Sequence, residues 1–228
     1  MDHRFYLLQV NDALFPIGAY SHSQGLETYI QKGIVKDETS AEAFLTQKIR
    51  RNFLYTELLA ARLCYEKAMQ GNLEKIEQVE EILTVSRVPM EQREAAKKMG
   101  SRFAKTIRVL NVPFTSDIFE RYLNAREGKT LNHCCIYGVF CAALGIEEDE
   151  SLLHYLYAQT SAMVTNCVKT IPLSQSSGQK LLKDCYPVLE EVLKKVKDLT
   201  EEELCLSAPG FDLRSMQHER LYSRIYMS

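Results

Sequence analysis

Apolar residues recur along this chain at intervals of three and four almost throughout, and sustained two-residue alternation is absent. That period puts side chains on one face of a helix and predicts an all-α fold, a single compact domain of about nine or ten helices. From Thr39, with Glu42 completing a capping box, a helix is predicted through Phe44, Leu45, Ile49 and Phe53, past Leu58, Leu59 and Leu63, to a stop at Gly71 and Asn72. Shorter or longer helices follow over about 73–85, 91–110 and 116–125, the second with Met99, Phe103 and Ile107 on one face and Pro113 at its end. In 133–144, Cys134, Gly138 and Cys141 fall at helical intervals with Gly145 beyond them, a stripe of small residues that lets another backbone approach. This helix is expected near the centre of the fold. The clearest period runs through Leu152, Leu153, Leu156, Tyr157, Thr160, Met163, Val164, Cys167 and Ile171 to Pro172. A second runs from Leu181 to Val196, with a break expected over 183–187 because Pro187 removes a backbone donor and crowds the preceding turn.

Composition narrows the function. With 46% apolar residues in 228, the chain can bury a substantial core, and one domain is the default. The 28 basic and 30 acidic residues nearly cancel, so there is no broad positive field for nucleic acid. No apolar run approaches the roughly 20 residues that span a bilayer, and the first residues lack the apolar core of a secretory signal. A cytoplasmic protein without a membrane partner is expected. The seven cysteines are odd in number and form no C-x-x-C pair, which reads as reduced, buried thiols.

Catalytic chemistry finds little support. Ser21, His22 and Ser23 are adjacent, and neighbouring helix positions diverge by about 100°, too far to pair a nucleophile with its base. Gly128-Lys129-Thr130 resembles the end of a phosphate loop, but Leu123 stands where its first glycine belongs and no strand precedes it. His133, Cys134 and Cys135 group three metal donors, yet consecutive helical residues cannot converge on one ion. No stable metal site is predicted. His22, His133 and Cys134 remain weak, transient contacts for a passing ion, and His154 and His218 are lone histidines of the same kind.

Three segments are more particular than helices require. In 7–27 (LLQVNDALFPIGAYSHSQGLE), Pro16 and Gly18 read as a turn, and Ser21 or Ser23 as the cap of a helix whose first turn holds Glu27. In 164–182 (VTNCVKTIPLSQSSGQKLL), Pro172, Gln175, Gly178 and Gln179 read either as a helix stop and a Ser-rich helix start or as groups presented to a partner. At the chain end, Phe211, Leu221, Tyr222 and Ile225 are interleaved with His218, Glu219, Arg220 and Arg224. This is either a last helix on its own core or a partner-binding tail over about 208–228.

Taken together, the three segments resemble the UreF family of urease accessory proteins. Its members carry an LPIGGFSHSxGLE-like block, an N-A-V-R-x-x-P-L-G-Q-x-x-G-Q-like block and an H-E-x-L-x-S-R-L-F-x-S-like end, matched here over 15–27, 166–179 and 218–228. The chain departs in Phe15, in Ala19-Tyr20, in Ser174 and in Lys169, where arginine is usual and an ammonium cannot reproduce a bidentate contact.

The resemblance implies a non-enzymatic, homodimeric assembly factor that binds UreD (also called UreH), recruits the GTPase UreG and supports nickel insertion into apo-urease. No cofactor would be tightly bound: nickel would be in transit, and GTP would be held by the partner GTPase. The UreD-facing residues would be Leu7 and Leu8 of an N-terminal helix over 7–14, with Phe211, His218, Glu219, Arg220, Leu221, Tyr222, Arg224 and Ile225. The dimer, passage or GTPase-facing residues would be Pro16, Gly18, Ser21, His22, Ser23, Glu27, Lys169, Pro172, Gln175, Gly178 and Gln179. Competing classes are a small all-α enzyme using Glu27, Tyr20 or Cys167, and a helical adaptor unrelated to metal.

Overall fold

The computed structural model describes residues 2–18, 22–206 and 208–227, and among these no strand occurs. Helix α1 is Arg4–Asn11, and α2 is Leu26–Gln31. Helix α3 (Glu38–Gln47) runs without interruption into a π-helical segment, Lys48–Leu58, and on into α4 (Leu59–Met69). The cap lies two residues before the predicted start: the Asp37 carboxylate accepts from the Ser40 N–H, and the Asp37 N–H donates to the Ser40 hydroxyl. Asn72 caps α5 (Leu73–Ser86) by accepting from the Lys75 N–H. Next come α6 (Met90–Leu110), α7 (Ile118–Ala125) and α8 (His133–Leu144).

Three acids open α9 (Glu148–Thr170), where the helix dipole favours negative charge. Ser174 caps α10 (Gln175–Asp184), and a break at Cys185 leads to α11 (Tyr186–Val196), with Pro187 in its first turn, where its missing N–H costs nothing. A short 3₁₀ turn, Glu201–Glu203, precedes α12 (Pro209–His218). Counting the α3–α4 rod and the α10–α11 pair as one helix each, the described residues form ten helices, within the predicted range.

Every residue of α8 is buried, so this helix is the axis of the fold. Its small-residue stripe works as predicted: a Cβ on Gly138 would sit 2.2 Å from the Ala61 carbonyl oxygen, so the α4 backbone rests directly on α8. One contiguous apolar cluster extends from Leu7 to Leu204 around it. The face of α9 is narrower than predicted: Leu152, Leu156, Met163 and Cys167 are buried, whereas Leu153 and Tyr157, one position further round the helix, are 49% and 44% exposed. All seven cysteines are free and, apart from half-buried Cys205, buried. Among the described residues no helix is long and apolar enough to cross a membrane.

Candidate functional site

The two ends of the chain meet on one carboxylate. Glu27 lies in the first turn of α2 but is buried, and its oxygens accept from the backbone N–H groups of Ile225 at 2.7 Å and Tyr226 at 3.0 Å. Nε2 of His218 is 2.9 Å from the same carboxylate, while Nδ1 is 2.7 Å from a carboxylate oxygen of Glu91. The ring thus lies between two carboxylates, one at each nitrogen. Arg224 donates to the second oxygen of Glu91.

Around this cluster, Thr28 donates to the Arg214 carbonyl, Gln31 to the Ser223 carbonyl, and the first free N–H of α6, on Met90, to Glu219. Gly25, with φ of 86°, lets α12 lie against it, since a Cβ there would meet the Ser215 hydroxyl at 2.6 Å. The middle segment joins the same unit through the Asn166 side-chain amide, which donates to the His22 carbonyl at 2.9 Å.

Beside this junction is a cavity of about 310 Å³ whose wall includes His22, Glu57, Arg87, His133, Cys134 and Tyr155. The three weak metal contacts named from sequence, His22 and the adjacent pair His133 and Cys134 more than 100 residues later, therefore share one chamber. The π-helical segment contributes Thr56 and Glu57, and the tail closes part of the wall with Leu206, Ala208 and Asp212. Glu57 pairs with Arg87 at 3.0 Å. Burial opposes the charge on Glu57, but the Arg87 guanidinium, the Thr56 hydroxyl and the Lys48 ammonium together hold its carboxyl below the usual range.

Burial pushes the His133 imidazole down to about 4, so the ring is neutral near pH 7, and its Nε2 has no hydrogen-bond partner among the described residues. Burial also lowers His22, with Lys98 and Arg102 adding to the effect, and raises the Cys134 thiol well above its ordinary value. A neutral imidazole keeps a lone pair for a metal ion, whereas a thiol held protonated is a poor ligand until it loses its proton. Among the described residues no three His, Cys, Asp or Glu side chains are placed to hold one metal ion.

A sequence model of the UreF family matches residues 35–186. The urease accessory protein UreF of Bacillus sp. (strain TB-90) is 35% identical over 230 residues, covering 100% of both chains, so the likeness includes the two ends that meet on Glu27. The chain belongs to the UreF family. Its role lies in urease maturation, and the remaining sequence-predicted residues can be placed in that light.

Several of them are not surface groups. His218 is fully enclosed and Glu27 is 5% exposed, with Nε2 of His218 2.9 Å from the Glu27 carboxylate inside the junction. Leu7 is buried under α1, whereas Leu8 is 53% exposed beside exposed Phe5 and Leu14. Phe211 is half-buried, packed edge-on against Phe44 with the Lys48 ammonium 4.9 Å over its ring. Arg220, Tyr222, Arg224 and Ile225 are exposed, and Glu219 and Leu221 are half-buried. Ser23 does not cap α2: Gly25 holds that position, and the Ser23 hydroxyl is buried without a partner among the described residues. Ser21 and Tyr20 lie outside the described residues.

Pro16, Lys169, Pro172, Gln175 and Gln179 are exposed. Gly18 is buried, and so is Gly178, whose absent side chain lets α10 rest on Val168 of α9. Cys167 is no nucleophile, since burial pushes its thiol up to about 12. Sequence reasoning missed Glu57, Arg87 and Glu91. Each is an ordinary charged residue on a helical pattern, and what sets it apart is a partner 30 to 133 residues away.

Proposed function

We propose that the protein is a scaffold of urease maturation without catalytic activity of its own, which acts as a homodimer in the cytoplasm. With a UreD/UreH partner it recruits the GTPase UreG and supports delivery of nickel into apo-urease. The observation that carries this reading is the form of the tail: its backbone is pinned to Glu27 while Tyr222 and Ile225, 105% and 72% exposed, face outward. A fixed segment presenting aromatic and aliphatic side chains is suited to gripping another protein, because little ordering remains to be done on binding.

The chamber supports the nickel part of the reading. Nickel accepts imidazole donors, and His22 and His133 offer them without a closed ligand set, with Cys134 able to join only as its thiolate. The exposed Pro16, Lys169, Pro172, Gln175 and Gln179 supply the surfaces proposed for the dimer and the GTPase.

The test is co-purification with UreD of the full chain carrying Tyr222→Ala and Ile225→Asp. Loss of the complex with unchanged helix content is expected, and an undiminished complex overturns the tail assignment. Deletion from Gln217 onward is the poorer experiment, since it also removes His218 and strands Glu27 and Glu91. The catalytic alternative is tested by turnover of the isolated protein, which is expected to be absent, with urease activation appearing only when partners, nickel, bicarbonate and GTP are supplied.

A further inference from the structure

The outer face of α6 carries a cationic ridge. Lys97, Lys98, Arg102, Lys105 and Arg108 are all exposed. At 1.5 Å and 100° per residue they extend over about 16 Å of helix and fall within an arc of roughly 140°. Arg108 pairs with Glu120 at 3.3 Å. Lys97, Lys98, Arg102 and Lys105 form no ion pair among the described residues, although most other cations of this net-acidic chain do. Like charges three and four positions apart destabilise a helix, so the ridge is an unfavourable feature of the isolated chain.

The ridge has an apolar margin. Val109 is 72% exposed and Leu14 is 90% exposed, and Thr106 of α6 shares a shallow depression with Leu8, Leu14 and Pro16. The guanidinium of Arg102 rests against the Gly18 backbone, where a Cβ would lie 2.3 Å from Nη1, so the Phe15–Gly18 turn orients one of the cations.

We propose that this face of α6, with its Leu14 and Val109 margin, is a docking surface for a carboxylate-rich patch on a partner protein, separate from the C-terminal strip. A protein fits better than a polyphosphate. The ridge is short, the carboxylates Glu94, Glu120 and Glu127 border it and would repel a continuous phosphate track, and the apolar margin matches the mixed character of protein interfaces. The existence of the partner rests on the assembly-factor reading, but the location and chemistry of the surface do not.

The test uses the full chain with Lys97→Glu, Lys98→Glu and Lys105→Glu together, and the matching glutamine variant, titrated with UreD/UreH, UreG and apo-urease at about 50 and about 300 mM salt. For one of these proteins the glutamate variant is expected to bind roughly tenfold or more weakly, the glutamine variant to fall between, and the wild-type affinity alone to drop strongly with salt. Thermal midpoints are expected not to fall, since these lysines make no ion pair within the chain and their replacement relieves like-charge repulsion along α6. Wild-type complexes that form and are indifferent to both variants and to salt overturn the surface. So does a loss confined to anionic vesicles, a nucleic-acid duplex or self-association. Failure of the wild type to bind any of the three proteins instead overturns the assembly-factor reading.

Discussion

Replacing His218 with phenylalanine keeps most of the ring volume and removes both N–H groups from between Glu27 and Glu91. Glu27 then keeps the Ile225 and Tyr226 amides, and Glu91 keeps Arg224, whose side chain is 40% exposed and therefore screened. Two hydrogen bonds to carboxylates are lost and both carboxylates lose a partner inside the junction, which costs roughly 3–5 kcal/mol. Against a total stability of about 5–15 kcal/mol, the tail has a less costly escape than global unfolding: α12 and the segment after it can detach. The loss should therefore show first as local opening. Native-state hydrogen exchange reads it directly at the amides of Ile225 and Tyr226, which should exchange on the order of a hundredfold faster or more, while amides of α8 change far less. Adding Glu27→Gln and Glu91→Gln to the same variant removes the stranded charges and should recover much of the protection. Unchanged exchange at Ile225 and Tyr226 in His218→Phe would refute the claim that this cluster holds the tail.

Three further outcomes can be checked. His133 has a folded-state value of about 4 against an ordinary 6.5, so between those pH values the unfolded chain binds more protons. The stability is complete above pH 6.5 and is lost as pH falls towards 4, by up to on the order of 3 kcal/mol, and urea midpoints across this window should flatten in His133→Phe. Gly138→Ala forces a Cβ onto the Ala61 carbonyl and should cost roughly 2–3 kcal/mol or more by prising α4 from α8; a wild-type urea midpoint would contradict that packing. Lys169→Arg lies on an exposed position and should leave stability within about 0.5 kcal/mol and urease activation intact, so a severe loss of activation would assign Lys169 a contact that a guanidinium cannot make.

Apart from α8, which is buried all round, the helices were legible because their burial is one-sided, and a one-sided helix writes its period into the chain. The stripe at Gly138 and the break at Pro187 were legible for the same local reason: a missing side chain and a missing N–H act within a turn of where they occur. Boundaries decided by competition between neighbours were not. Thr39 with Glu42 satisfies the same capping pattern as Asp37 with Ser40, and only the structure shows which pair closes. The π-helical course of Lys48–Leu58 leaves the apolar spacing of Ile49, Phe53 and Leu58 compatible with an ordinary helix, so the pattern carried no warning of it.

The site was legible as motifs and illegible as geometry. His22, His133 and Cys134 were each discounted because donors separated in sequence, or adjacent on a helix, do not converge by local rules, and their shared chamber is walled by α5, α6, α8, α9, the π-helical segment and the stretches around 22–24 and 205–212 together. The same limit applies to the tail. A histidine followed by Glu219 and Arg220 looks like a charged surface strip until Glu27, 191 residues earlier, is found against its ring. What sequence spacing can predict is the face a residue shares with its neighbours along a helix. Whether that face meets solvent or an opposite charge depends on which distant segment is laid on it, and here the segment laid on Glu27 is the other end of the chain.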